Sequence, residues 1–402
     1  PELMAGIASA FGGFLRAEDL HGPVCVARDS RTSGPMFVRA VTAGLQSVGC
    51  DVIDLGMVPT PTLLMAVQDA GASGGIGVTA SHNPAEWNAL KLVSGEGIFL
   101  DADRSARFRA YLDGEDPDRV DWDQLGSVKE DPEAWARHLQ RILDLSHVDV
   151  PAIRARGFRV AVDCVNGVGG PMVRQLLDSL GCTTVGIGME QSGRFPRDPE
   201  PTAENLADLG RLVSESEAVV GLAVDPDADR LSLVDETGTP MGEDLTLALA
   251  SAVVLSRTPG PVVTNLSTSQ VVEDVARTFG APLVRAPVGE VNVARRMQVE
   301  GAVVGGEGNG GVILPALHHT RDAPLAVALI LQYLVDEDVT FGGPGLSEVV
   351  GRLPSYRILK QKIAFPRESL SDAYDALADD LGGEVRDETD GLRLAWPGRR
   401  SW

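Results

Sequence analysis

Three carboxylates stand at alternate positions in Asp225-Pro226-Asp227-Ala228-Asp229, directly after the apolar run Val219–Val224 and before Arg230. On extended backbone a spacing of two puts side chains on one side, so the three are expected to converge. Carboxylates that close repel unless a cation offsets them, and an all-oxygen set suits a hard ion such as Mg²⁺ or Ca²⁺ rather than zinc. Counting Asp225 as the first position of an EF-hand loop puts Glu236 at the twelfth. That reading fails because Arg230 stands where the loop needs Gly, and Leu231-Ser232-Leu233-Val234 reads as a strand where a helix should begin.

A hydroxyl is offered by a second loop, Gly77-Val78-Thr79-Ala80-Ser81-His82-Asn83-Pro84. Asn83 and Pro84 force a turn after Ser81 and present it at the C-terminal end of a strand, where α/β sheets place their ligands. Neighbours on extended backbone point opposite ways, so His82 is expected to be poorly placed as a base for Ser81. With no G-x-S-x-G elbow, a plain hydrolase triad is disfavoured. Lys91, in Asn88-Ala89-Leu90-Lys91, sits among apolar residues. Such a lysine pairs with an anion, for instance phosphate, has its pKa depressed for proton transfer, or simply reaches solvent from its strand. In a third loop, five of the seven residues Gly305-Gly306-Glu307-Gly308-Asn309-Gly310-Gly311 are glycine. Glu307 and Asn309 are left to hydrogen-bond a ligand, and a small polyol such as a sugar fits, since glycines permit close approach.

All three loops require strands that end at a common cleft. The segments Ser47-Val48-Gly49-Cys50, Ser179-Leu180-Gly181-Cys182 and Thr278-Phe279-Gly280-Ala281 each read as a helix end on a left-handed glycine, followed by the strands Val52–Leu55, Thr184–Ile187 and Pro282–Ala286. Upstream lie the β-rich runs Val24–Ala27, Val160–Asp163 and Val262–Leu266, each leading into a polar loop and then helix. This alternation predicts α/β architecture: three related three-layer α/β/α domains joined by right-handed crossovers. After Leu353-Pro354 a strand over Tyr356–Ala364, a charged helix over Glu368–Asp380 and a strand over Gly391–Ala395 predict a smaller C-terminal α+β domain, incomplete in this chain. The expected domains are 1–147, 148–245, 246–353 and 354–402. The cluster Gly342-Gly343-Pro344-Gly345 allows a hinge before the last of them.

The 402 residues carry 35 basic and 57 acidic side chains, a net charge of −22 that argues against nucleic acid or an anionic membrane as partner. A hydrophobic share of 44% with 23% charged residues is that of a globular chain, and no apolar run reaches the ~18 residues of a membrane span. Cys25, Cys50, Cys164 and Cys182 lie far apart without metal spacing, which predicts free thiols and a cytoplasmic location. The ends, Pro1-Glu2-Leu3 and Arg400-Ser401-Trp402, carry neither a signal pattern nor a helix stop, and are expected to be trimmed or disordered.

In this order the three loops resemble those of the α-D-phosphohexomutase superfamily, which holds phosphoglucomutase, phosphomannomutase and phosphoglucosamine mutase. Ala27-Arg28-Asp29-Ser30-Arg31-Thr32-Ser33-Gly34 is similar to that family's early G-R-D-x-R-x-S-G segment, Thr79–Pro84 to its phosphoserine loop, Asp225–Arg230 to its metal loop and Gly306–Gly311 to its sugar loop. The resemblance implies a phosphoryl group on Ser81, Mg²⁺ held by Ser81, Asp225, Asp227 and Asp229, and Arg230 steadying the phosphate. It also implies proton transfer by His82 or Lys91, and a phosphosugar substrate gripped by Glu307 and Asn309. Phosphoryl transfer asks chiefly for positioning and charge neutralisation, which these residue types supply. The sequence departs from the family in three places: the opening glycine/arginine motif and the R-P-S-x-T-E-P phosphate loop are absent, and the usual G-E-x-S-G-H has Asn309 for Ser and Gly311 for His. Trp87–Lys91 with Gly306–Gly311 looks most like the phosphoglucosamine mutase branch. Two other classes fit some of the residues: an aspartyl phosphatase of the haloacid dehalogenase type, with Asp225 as nucleophile and Asp227 as acid/base, and a non-catalytic phosphosugar-binding protein.

Overall fold

The computed structural model describes residues 1–114, 117–340, 344–359, 363–382 and 385–396. Its first domain contains α1 (Glu2–Ala17), β1 (Val24–Arg28), α2 (Gly34–Gln46), β2 (Val52–Met57), α3 (Thr60–Asp69), β3 (Gly74–Val78), β4 (Leu90–Ser94), α4 (Ala102–Leu112) and β5 (Val128–Glu130), and α5 (Ala134–Leu143) follows, with Leu139 and Ile142 in the core of the second. The second has α6 (Val150–Arg156), β6 (Arg159–Asp163), α7 (Gly170–Ser179), β7 (Thr183–Ile187), α8 (Ala207–Ser216), β8 (Val220–Val224) and β9 (Leu231–Val234). The third has α9 (Asp244–Arg257), β10 (Val262–Asn265), α10 (Gln270–Thr278), β11 (Leu283–Ala286), α11 (Glu290–Glu300), β12 (Val304–Glu307), β13 (Gly311–Ile313) and α12 (Ala323–Asp336). After α13 (Leu346–Val350) come α14 (Leu370–Leu381) and the small antiparallel pair β14 (Val385–Asp387) and β15 (Arg393–Ala395).

The three sheets share one topology. Their orders are β4-β3-β1-β2-β5, β9-β8-β6-β7 and β13-β12-β10-β11. In each, the first strand pairs in parallel with the second and third and the third pairs antiparallel with the fourth, and the first sheet adds β5, parallel to β2. The glycine signals explain the common turn. Gly49, Gly181 and Gly280 have φ of 74°, 70° and 66°, and each lets the next amide bond back across the helix end: Cys50 N to Leu45 O, Cys182 N to Leu177 O, Ala281 N to Ala276 O, at 3.1, 2.9 and 2.9 Å.

Alternation in β1 builds the layers: Val24 and Val26 pack with Phe11, Phe14 and Phe108 of α1 and α4, whereas Cys25 and Ala27 pack with Leu63, Leu64 and Val67 of α3. A single core joins the second and third domains, and α12 runs through it. That helix is apolar all round and buried from Ala323 to Leu334, as a helix without a solvent face must be. All four cysteines are free and buried. Among the described residues no helix is long and apolar enough to cross a membrane.

One expected strand is absent. Residues 355–359 and 363–364 are irregular, and 360–362 lie outside the described residues, as do Gly342 and Gly343 of the expected hinge. The run Tyr356–Ala364 does not hold a strand's alternation, with Ile358 beside Leu359 and Lys360-Gln361-Lys362 in its middle, and among the described residues the small C-terminal sheet pairs only β14 with β15.

Candidate active site

The serine loop follows β3, and an interior ion pair shapes it. Arg31 is fully buried, and its Nε donates to Asp29 Oδ2 at 3.0 Å. Its other four N–H groups go to backbone oxygens of that loop: Nη1 to Pro84 and Trp87 at 2.6 and 2.9 Å, Nη2 to Ser81 and Asn83 at 2.6 Å each. All five guanidinium donors are thereby used. Thr79 Oγ1 donates to Asp29 Oδ2 and accepts from Ser81 N at 3.0 Å. Burial pushes the Asp29 carboxyl up to about 6, against the pull of Thr79 and Arg31.

Held this way, Ser81 adopts φ 48°, in the left-handed region. This corrects the expectation for His82. The sequence argument assumed extended backbone, but the left-handed kink brings His82 Nδ1 to 3.3 Å from Ser81 Oγ. The other ring nitrogen, Nε2, lies 2.9 Å from Glu200 Oε2, and Glu200 Oε1 accepts from Arg230 Nη1 at 2.9 Å. Burial would raise the Glu200 carboxyl, yet His82 and Arg230 together hold it below the usual range.

The carboxylate loop joins β8 to β9. Asp225, Asp227 and Asp229 are buried, and oxygens of all three lie within 4.8 Å of one another. They converge by a turn and not by extended backbone, which is a second correction. Ala228 takes φ 57°, its N–H bonds to Asp225 O at 3.1 Å, and Asp225 Oδ1 accepts from the backbone N–H of Asp229 and Arg230 at 3.0 and 3.2 Å. The loop's own amides thus close it around the first carboxylate.

Ser81 Oγ lies 3.3 Å from Asp225 Oδ2, so the serine and carboxylate loops meet. Asp227 Oδ2 accepts from Thr60 Oγ1 at 2.6 Å and from Lys91 Nζ at 2.7 Å, and Lys91 Nζ is 3.6 Å from Asp229 Oδ2. Burial would lower the Lys91 pKa, but Asp227 and Asp229 outweigh it and hold the ammonium protonated. Of the alternatives for this lysine, ion pairing is the one observed. Burial beside Asp229 and Asp227 pushes the Asp225 carboxyl well up.

Asp227 Oδ1 and Asp229 Oδ1 are buried with no hydrogen-bond partner. Two such oxygens beside a third carboxylate fit a hard divalent cation, which would satisfy them and relieve the repulsion.

Glu307, at the end of β12, is buried with both oxygens engaged. Oε1 accepts from Asn265 Nδ2 and Gly289 N at 2.8 and 3.0 Å, and Oε2 from Arg321 Nη1 at 2.7 Å and Asn309 Nδ2 at 3.5 Å. Arg321 also donates from Nη2 to Asp229 Oδ2 at 2.6 Å, linking the third loop to the second. Every sequence-derived candidate therefore lies in one connected cluster. Sequence reasoning missed Arg31, Thr60, Glu200, Asn265 and Arg321. Two of these had a local signal: Glu200 lies between Pro199 and Pro201, and Arg321-Asp322 is a charged pair opening the apolar run of α12.

Three repeated α/β/α domains thus bring a serine, an acidic triad and a glycine-rich carboxylate loop together. Comparison with known proteins agrees. Residues 1–118, 134–238 and 242–354 match domains I, II and III of the phosphoglucomutase/phosphomannomutase alpha/beta/alpha family. A probable phosphoglucosamine mutase of Methanopyrus kandleri is 38% identical over 370 residues, 92% of this chain and 78% of that protein. A phosphoglucomutase/phosphomannomutase of Thermococcus kodakarensis is 37% identical over 399 residues, 98% of this chain and 86% of that protein. The crystal structure of a phosphoglucomutase/phosphomannomutase family protein from Burkholderia thailandensis superposes with a TM-score of 0.82 at 29% identity, covering 98% of this chain and 84% of that one. The chain belongs to the phosphoglucomutase/phosphomannomutase family and is a hexose phosphate mutase, an isomerase.

Proposed function

We propose that this mutase interconverts glucosamine 6-phosphate and glucosamine 1-phosphate through a phosphoryl group carried on Ser81. The observation that carries the reading is the meeting of Ser81 Oγ with Asp225 Oδ2 at 3.3 Å, beside the two carboxylate oxygens that lack partners. The choice of sugar rests on relatives such as those of Methanopyrus kandleri and Methanococcus maripaludis, named a probable phosphoglucosamine mutase and a phosphoglucosamine mutase. The Thermococcus kodakarensis relative favours a second reading, mannose or glucose phosphate.

Ser81, Asp225, Asp227 and Asp229 would hold Mg²⁺, which supplies charge neutralisation for the phosphoryl group. In the forward step a sugar hydroxyl attacks the phosphorus, the bond from phosphorus to Ser81 Oγ breaks, and the hydroxyl's proton takes the place of the phosphoryl group on Oγ, relayed by His82, which lies 3.3 Å from it. Glu200 holds that imidazole from its other side. Lys91 and Arg230 offset the charge of the transferring group. The bisphosphorylated sugar then returns its other phosphate to Ser81. Glu307 can accept sugar hydroxyls only as they replace its present donors, since a carboxylate offers about four acceptor sites. The buried free thiols support a reducing, cytoplasmic setting.

Glucosamine, mannose and glucose 6-phosphates assayed side by side, with intact-mass measurement of the freshly purified chain, test both parts. We expect a phosphorylated species that maps to Ser81 and turnover highest with glucosamine 6-phosphate. Mutase activity that survives Ser81→Ala would overturn the mechanism, and a preference for mannose or glucose phosphate would overturn the sugar.

A further inference from the structure

Arg321 reaches two of the three loops at once. Nη1 donates to Glu307 Oε2 at 2.7 Å, Nη2 to Asp229 Oδ2 at 2.6 Å, and Nε lies 3.2 Å from Glu290 Oε2. A guanidinium is planar and rigid, so carboxylates bound to its two ends are fixed relative to one another as an ammonium could not fix them.

The stem of Arg321 occupies a particular space. A Cβ on Gly311 would stand 2.2 Å from Arg321 Cδ, 2.7 Å from Cγ and 3.3 Å from Cβ. Those atoms lie near the root of the side chain, which has little freedom to swing aside. The backbone at that root is also fixed. Arg321 N donates to Glu290 Oε1 at 2.9 Å and Asp322 N to Val312 O at 3.0 Å. The Asp322 carboxylate receives His138 Nε2 and His318 Nε2 on Oδ2 at 2.7 and 2.8 Å, and Leu325 N on Oδ1 at 2.9 Å. A side chain at 311 and Arg321 therefore exclude one another.

We propose that Arg321 is a positioning residue that couples the sugar-loop carboxylate Glu307 to the triad carboxylate Asp229, and that position 311 is glycine because Arg321 passes through its side-chain space. The kinetic part rests on the mutase reading above, whereas the metal-binding part does not.

Charge and geometry can be separated. Arg321→Ala removes both, Arg321→Lys keeps the charge but lacks the rigid planar fork that fixes the two carboxylates relative to one another, and Gly311→Ala evicts the arginine without changing it. The full chain of each, and of the Gly311→Ala/Arg321→Ala double variant, is measured for kcat and KM, for Mg²⁺ affinity by calorimetry on dephosphorylated protein, and for thermal midpoint. Losing the bridge lowers kcat at least about tenfold, the scale of one charge-assisted hydrogen bond. Losing the cation beside Asp229 tightens Mg²⁺ binding at least about threefold in Arg321→Ala. Arg321→Lys shows the kcat loss with near-wild-type Mg²⁺ affinity. Gly311→Ala shows the kcat loss, and adding it to Arg321→Ala changes nothing further, because both act on one unit.

Wild-type kcat in Arg321→Lys would overturn positioning in favour of plain charge balance, and full additivity in the double variant would overturn the shared space. Should Arg321→Ala fail to fold, Arg321→Lys and Gly311→Ala carry the same decision. A wild-type chain inactive on all three sugars would sink the functional reading instead. Mg²⁺ affinity would then judge the coupling alone, and equal values in wild type, Arg321→Ala and Gly311→Ala would overturn it.

Discussion

At the scale of single residues, the site depends on side chains that touch other side chains more than on those the motifs name. Ser81 sits in a left-handed conformation that costs roughly 1–3 kcal/mol for a residue other than glycine, and the donors of Arg31 hold it there. Glu200 joins His82 of the first domain to Arg230 of the second. Glu200→Gln keeps the shape but removes the charge that orients both partners. We expect kcat to fall about 10- to 100-fold, the loss of a hydrogen bond to a charged group, with an unchanged circular dichroism spectrum. An unaltered kcat would show that the contact is only structural. Ser81 and His82 could be read from the sequence, but their 3.3 Å approach depends on the left-handed backbone angle at Ser81, which extended-strand geometry does not anticipate.

At the scale of elements, the three strand-loop-helix-strand units could be read because their signals are local: a β-branched run, a polar loop, an amphipathic stretch and a left-handed glycine. The hairpin β12–β13 shows what such signals leave open. Gly310 has φ 88°, its carbonyl accepts from Leu231 N at 3.0 Å, and a Cβ there would lie 2.4 Å from Leu231 O. This glycine is where the sugar loop touches the first residue of β9 in another domain. Gly310→Ala should destabilise the protein by about 1–3 kcal/mol through backbone strain alone, with a further loss if the loop is pushed from β9. Urea unfolding of both chains measures it, and an unchanged midpoint would remove the contact from the account.

At the scale of the whole molecule, polar contacts hold the domains in register. Thr60, at the start of α3, donates to Asp227, and Thr62 Oγ1 lies 2.9 Å from His138 Nδ1. His138 in turn joins Asp322 and His318 of the third domain in a buried cluster. Arg295 of α11 reaches Asp101 at 2.9 Å on the far side. Burial lowers the His318 pKa below 6.5, with His138 and His319 adding to it and Asp322 opposing. The unfolded chain therefore takes up this proton first as pH falls, so stability drops below about 6.5, and the depressed Asp322 carboxyl adds its own loss at lower pH. Replacing His318 with Gln should flatten the thermal midpoint between pH 8 and about pH 5.5 relative to wild type. Identical slopes would exclude this cluster as the origin.

The sequence by itself determined the three repeated α/β units, the order of the polar loops along the chain and the residue types they offer, because propensity, glycine placement and hydrophobic period act over a few neighbours. Tertiary structure alone decided that Arg31 braces the serine loop, that Glu200 and Arg321 tie three domains to one set of carboxylates, and that the triad closes through a turn. The bonds of Arg31 to the serine loop, Glu200 to Arg230 and Arg321 to Asp229 span 30 to 92 positions of chain, and buried charges choose partners by distance and desolvation in the folded core.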